Sequence, residues 1–222
     1  MQIEGSGEPL LLINGLARPL ESWIPFAQCM SGRTVITFDA PGIGASSTPI
    51  FPLSMQALAC IAGGVLDATG FDSCDVVGFS HGGAVAQQLA ADSPPRVRSL
   101  TLVSTSCGVG GVPAQLDDLG RGMFEPTRGF RWPTPDPLGF LWQVLSITSW
   151  SSIPELGTLD VPTLVVSGIH DRIVPPANSA LLAERIPNAR LANIDAGHDL
   201  QRGEPARALA TLVQEFLDPR VR

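Results

Sequence analysis

The sequence predicts an α/β domain: a mostly parallel sheet of about six to seven strands, with helices on both faces and a small inserted cap. Three observations predict it. Short runs rich in Val, Ile and Leu alternate with longer stretches of helical period. Several of these runs, LLLI and TLVV among them, are apolar on both faces, as strands are when helices cover both sides of a parallel sheet. One long stretch, 107–157, interrupts the alternation and resumes it afterwards.

In chain order, strands are expected over 10–14, 34–39, 74–79, 100–104, 163–167 and 190–194. The first helix is expected over 19–30, closed by Gly32. The second, 54–69, has Ser54 as N-cap and Gly70 just past its end. A third, 82–92, is stopped by Pro94 and Pro95, and a fourth spans 176–185. The last, 204–217, is the clearest: Ala206, Leu209, Ala210, Val213, Phe216 and Leu217 recur at helical spacing and form one apolar face.

The interrupting stretch shows no clean period. It holds Pro113, Pro126, Pro133, Pro135, Pro137 and Pro154. It also carries Phe124, Phe130, Trp132, Phe140, Trp142 and Trp150, too rich an aromatic content for a disordered segment. The organisation expected is a core in two parts, 1–106 and 158–222, with 107–157 inserted as a cap. Trp132, Phe140, Trp142 and Trp150 are the candidates to wall an apolar pocket beneath it.

A chain of 222 residues that is 44% apolar suits one domain and needs no disulfide or metal to hold its core. A net charge of −7 argues against nucleic acid and anionic membrane as partners, since both demand clustered Lys and Arg. Cys29, Cys60, Cys74 and Cys107 form no CxxC pair and are expected to be reduced core residues. No run approaches the length of a membrane span, and the first residues lack the basic region and cleavage site of a signal peptide. A cytoplasmic location is the resulting expectation.

The motif that carries chemistry is Gly78-Phe79-Ser80-His81-Gly82. G-x-S-x-G alone is weak, but here it joins the strand CDVVGF directly to the helix GAVAQQLAA. So tight a strand–turn–helix corner strains the backbone at Ser80 and exposes its Oγ above the sheet. Gly78 and Gly82 let neighbouring chain pass close by. A hydroxyl nucleophile needs a base, and the partners of such an elbow follow in the order Ser, acid, His. His198, just after the last strand, leaves room for an acid between itself and Ser80. His81 adjoins the nucleophile, and its ring is expected to point away. Among Asp160, Asp171, Asp195 and Asp199, only Asp171 lies at the C-terminal edge of the sheet and far enough from His198 in sequence. It would hold the imidazole tautomer and stabilise the imidazolium. An oxyanion hole is expected from the backbone N–H groups of His81 and Leu16, with Gly15 allowing the turn. The glycines of Asp39-Ala40-Pro41-Gly42-Ile43-Gly44-Ala45-Ser46 are read as a structural loop, because no P-loop lysine follows. Neither a metal nor a cofactor is expected, as no compact ligand cluster occurs.

These residues, with the stretches PLLLINGLA, FDAPGIGASSTP, SLTLVSTSCGVGGVP, GFLWQVLSITSWSS and VPTLVVSGIHDRIVPPANSALLAERIPNARLANIDAGHDL, resemble the serine esterases of the α/β-hydrolase superfamily. Within them the chain is similar to the intracellular depolymerases of medium-chain polyhydroxyalkanoates and their esterase relatives. The resemblance implies hydrolysis of aliphatic or hydroxyalkanoate esters, small or oligomeric, through an acyl-enzyme. It departs from the depolymerases in a shorter cap, in His81 where a Trp is expected, and in having only Met1 to Gly5 ahead of the oxyanion strand. These departures bear on the polymer more than on the ester. The same triad also suits a thioester, a lactone or a C–C bond, and the same fold a non-catalytic ligand receptor. Asp-dependent dehalogenase and epoxide hydrolase chemistry does not suit Ser80. The implied strand order leaves 34–39 near a sheet edge, so it should be covered by the N-terminus or by the second subunit of a homodimer.

Overall fold

The computed structural model describes residues 1–114 and 136–218. Among them, seven strands form one sheet: β1 (Gln2–Gly5), β2 (Glu8–Ile13), β3 (Arg33–Thr37), β4 (Cys74–Phe79), β5 (Val97–Val103), β6 (Thr163–Gly168) and β7 (Ala189–Ile194). Their order is β1-β3-β2-β4-β5-β6-β7. All neighbours run parallel except β1, which pairs antiparallel with β3 through Gln2↔Thr37 to Gly5↔Thr34. The N-terminus therefore covers the β3 edge, and no second subunit is needed for that.

Strand periodicity sorts the apolar side chains onto two faces. Leu11, Ile13, Val76, Leu100 and Val165 pack on one side against α2 (Met55–Thr69), α3 (His81–Asp92) and α6 (Ala177–Arg185). Leu10, Leu12, Val77, Phe79, Val103 and Val166 face the other, where α7 (Gly203–Leu217) lays down Leu209, Ala210, Val213 and Phe216. The helix ends follow the sequence signals: Ser54 Oγ accepts from Ala57 N–H at 3.2 Å, and Gly70 closes α2 in the left-handed region.

Two local expectations are corrected, and one stretch without a clean period proves partly helical. Residues 19–30 do not form one helix. A 3₁₀ turn, Leu20–Trp23, leads into the single-turn α1 (Ile24–Ala27), with Pro25 in its first turn where no N–H is required. Residues 107–157 contain regular structure: α4 (Pro137–Thr148) and the short α5 (Ile153–Leu156). Of the cysteines, Cys74 and Cys107 are buried but Cys60 is exposed, because it lies on the outer side of α2. Burial pushes the Cys74 thiol up to about 12, aided by the Asp75 charge. No described helix is long and apolar enough to cross a membrane.

At the N-terminal edge of the sheet, Asp75 is buried between Arg33 at 2.6 Å, Arg98 at 3.0 Å and Ser99 Oγ at 2.7 Å. Glu8 also pairs with Arg98, and Arg33 donates to the Leu217 carbonyl at 3.1 Å. The Asp75 carboxylate thus ties three strands and the end of α7 together. Asp75→Asn should destabilise the protein by about 3 kcal/mol, because it removes the carboxylate from Arg33 and leaves Arg98 with Glu8 alone. A thermal midpoint lowered by on the order of 10 °C would be seen in a melt; an unchanged midpoint would show the knot to be energetically neutral.

Candidate active site

The strand order reverses between β2 and β4, and a crevice at such a switch point is where open α/β sheets bind ligands. Ser80 sits there, between β4 and α3, with φ 52° and ψ −119°. That strained conformation is held from both sides: Ser80 N–H donates to the Val103 carbonyl at 2.9 Å, and its own carbonyl accepts from Thr105 Oγ1 at 2.7 Å. The corner is also sterically closed. A Cβ at Gly82 would stand 2.2 Å from the Ile13 carbonyl, and one at Gly78 2.5 Å from that of Gly82.

His198 Nε2 lies 3.1 Å from Ser80 Oγ, and His198 Nδ1 lies 2.8 Å from Asp171 Oδ2. The imidazole rests on Phe79, with ring centroids 4.9 Å apart. The buried Asp171 accepts from the backbone N–H groups of Ile173 and Val174 at 2.9 and 2.8 Å, both on Oδ1. The loop carrying His198 crosses the end of β6 only because Gly168 is bare: a Cβ there would meet the Gly197 carbonyl at 2.1 Å. The other acids point elsewhere. Asp199 pairs with Arg18 at 3.0 Å, Asp195 with His170 at 2.9 Å, and Asp160 accepts from Asn188.

The loop after β2 passes directly beside the serine. A Cβ at Gly15 would come within 3.2 Å of Ser80 Cβ and 2.8 Å of the Phe79 ring. Leu16 follows in a turn closed by Arg18 N–H donating to the Gly15 carbonyl at 3.2 Å. Asp39, two residues beyond β3, braces this region: Oδ1 accepts from Leu20 N–H at 2.8 Å and Oδ2 from Ala45 N–H at 3.0 Å. The glycine-bearing 39–46 loop is therefore folded around a carboxylate rather than around a phosphate.

His81 leads into α3 with its ring buried. Its Nε2 reaches Ser146 Oγ at 2.8 Å, and Ser146 Oγ donates to the Gln143 carbonyl at 2.7 Å. Ser146 thus spends its one proton on Gln143, which assigns the ring as the Nε2–H donor. Burial pushes this imidazole down to about 4, with the Gln143 carbonyl opposing. The unfolded chain therefore binds a proton near pH 6.5 that the folded chain refuses until about 4, so folding stability falls as pH drops through that window. His81→Gln, which keeps an N–H donor, should shrink the loss of unfolding free energy between pH 7 and 4.5 by roughly 2 kcal/mol. Denaturant melts at the two values measure it; equal losses in both proteins would refute this account.

The proposed pocket residues divide. Trp132 lies outside the described residues. Phe140 and Trp142 are half-buried on α4, and Trp142 Nε1 donates to the Pro49 carbonyl at 3.0 Å. Trp150 is a core residue: its Nε1 donates to Gln88 Oε1 at 2.6 Å. Gln88 is eight residues down α3 from Ser80, about 12 Å along the axis, so this indole anchors the segment rather than facing the serine. Gln143, Ser146 and Arg18 were not legible as site residues, since nothing in their sequence neighbourhood marks them.

A serine at the switch point, on an imidazole that is itself on a buried carboxylate, within a doubly wound sheet, defines the class: a hydrolase of this fold. The chain belongs to the alpha/beta hydrolase fold family, which matches residues 8–121 and 121–205. It is 36% identical to the poly(3-hydroxyalkanoate) depolymerase of Ectopseudomonas oleovorans, across 94% of this chain and 84% of that one. It is 32% identical to the 2-hydroxymuconate semialdehyde hydrolase of Pseudomonas putida, across 96% and 88%. Among solved structures it is similar to the enol-lactonase of Burkholderia xenovorans LB400, with a TM-score of 0.83, 26% identity and coverage of 97% and 95%.

Proposed function

We propose that the protein is a carboxylic ester hydrolase acting through an acyl-enzyme, on aliphatic or hydroxyalkanoate esters. The observation that carries this is the unbroken relay from Ser80 Oγ through the His198 ring to Asp171 Oδ2, at 3.1 and 2.8 Å. Ser80 Oγ attacks the carbonyl carbon as His198 Nε2 takes its proton. The N–H groups of His81 and Leu16 receive the oxyanion. His198 returns the proton to the departing alcohol, and water repeats the sequence to release the acid. Asp171 holds the tautomer throughout. Residues 107–157 act as the cap, on a core of 1–106 and 158–222.

The depolymerase relative supports an ester of a hydroxyalkanoate. The 2-hydroxymuconate semialdehyde hydrolase supports a second reading, hydrolysis of such a semialdehyde on the same triad. Hydrolysis of p-nitrophenyl esters from acetate to dodecanoate separates the two. Turnover with a chain-length optimum upholds the ester reading and sizes the acyl pocket. Turnover of 2-hydroxymuconate semialdehyde with no activity on any ester would replace it.

A further inference from the structure

The side chain of Gln143, on α4, is buried, yet it is aimed at the backbone of a loop about 126 residues earlier in the chain. Its Oε1 accepts the Ala17 N–H at 2.8 Å. Ala17 has φ 56°, a left-handed conformation that a non-glycine residue holds only where its surroundings enforce it. Ala17 immediately follows Leu16, whose N–H serves the oxyanion in the reading above. The same residue reaches the other donor segment through its main chain. The Gln143 carbonyl accepts from Ser146 Oγ, which in turn receives Nε2–H of His81. One turn of α4 therefore fastens both segments whose amides the proposed mechanism assigns to the oxyanion. The helix itself is fixed at close range: a Cβ at Gly139 would stand 2.3 Å from the Gly42 carbonyl, so helix and 39–46 loop meet backbone to backbone.

We infer that Gln143 is a positioning residue that sets the spacing of the oxyanion hole, coupling transition-state stabilisation to the seating of α4. The inference rests on the ester-hydrolase reading. Gln143 does not touch the reacting atoms; it acts through the Leu16–Ala17 peptide. Without its acceptor, Ala17 N–H has no partner and the strained turn can relax, moving the donor that precedes it. A displacement of about 1 Å at such a donor costs on the order of 10²-fold in rate.

The test uses the full chain. Gln143→Met fills the same volume without an amide oxygen, and Gln143→Glu keeps an acceptor at the same reach. Turnover of the best p-nitrophenyl ester is measured together with the affinity of an alkyl trifluoromethyl ketone. Ser80 Oγ adds to this ketone's carbonyl and its proton passes to His198, leaving a hemiketal oxyanion in the hole. Expected is a fall in kcat of about 10- to 100-fold in Gln143→Met with KM within about threefold, a parallel loss of ketone affinity, and recovery of most of both in Gln143→Glu. A thermal midpoint near that of the wild type confirms that the fold survives. Unchanged kcat, a fall in kcat without loss of ketone affinity, or a Glu variant as poor as Met would each overturn the inference. If wild type turns over no ester but binds the ketone, only the ester reading fails, and ketone affinity still decides the role of Gln143. If it does neither, both fall.

Discussion

If Ser80 is the nucleophile of an ester hydrolase as proposed, Ser80→Ala is expected to abolish ester turnover to within the noise of the assay, a loss on the order of 10⁴ or more, while leaving the protein folded. The size follows from what is removed. Without Oγ there is no atom to form the acyl-enzyme, and what survives is the catalysis that binding and the oxyanion donors lend to water. A loss of 10⁴ corresponds to about 5 kcal/mol of transition-state stabilisation. The fold should survive because the backbone at residue 80 is held by Val103 and Thr105, not by the hydroxyl, whose hydrogen-bond partner among the described residues is His198 Nε2. Alanine tolerates φ 52° no worse than serine does. The check is steady-state hydrolysis of the best p-nitrophenyl ester beside a melt of each protein. A variant retaining a tenth of wild-type activity would mean that Ser80 is not the nucleophile.

The fold and the relay were legible in the sequence for a common reason: both are written in local signals. A doubly apolar run marks a buried parallel strand, and G-x-S-x-G marks a corner whose glycines are demanded by backbone approaches of 2.2 and 2.5 Å. Asp171 and His198 could be singled out because each follows a strand by three or four residues and the pair keeps the order Ser, acid, His. Helix α4 was not legible. PLGFLWQVLSIT is apolar around most of its circumference, since one side meets the core and the loops after β2 and β3 while Leu138, Leu141 and Leu145 remain exposed. Such a helix shows little periodicity. One signal was available: Asp136 before Pro137, where Asp136 Oδ1 accepts from Leu138 N–H at 3.0 Å as an N-cap. Trp150 misled because an aromatic in a Pro-rich segment reads as a pocket wall. Its indole N–H instead meets Gln88, a long-range pairing that no local pattern announces.

Asp171→Asn should lower kcat by about 10⁴ although it changes one atom and creates no cavity. The reason lies on the side of the carboxylate away from His198. Asp171 Oδ1 receives two backbone N–H groups, from Ile173 and Val174. In the asparagine variant only the carbonyl oxygen can meet those donors; an NH₂ there would face two N–H groups and leave them unsatisfied in a buried site. The backbone therefore fixes the amide with its NH₂ toward His198 Nδ1, 2.8 Å away from that position in the wild type. The ring must then accept at Nδ1 and carry its proton on Nε2, where it donates to Ser80 Oγ instead of accepting from it. The base is present, correctly placed and in the wrong tautomer. Nitrogen-15 shifts of the His198 ring test this directly, with Nδ1–H expected in the wild type and Nε2–H in the variant, alongside the kinetic loss. A variant with the wild-type tautomer and less than a tenfold loss would show that residue 171 does not set the state of the base, and the acid would have to be sought elsewhere.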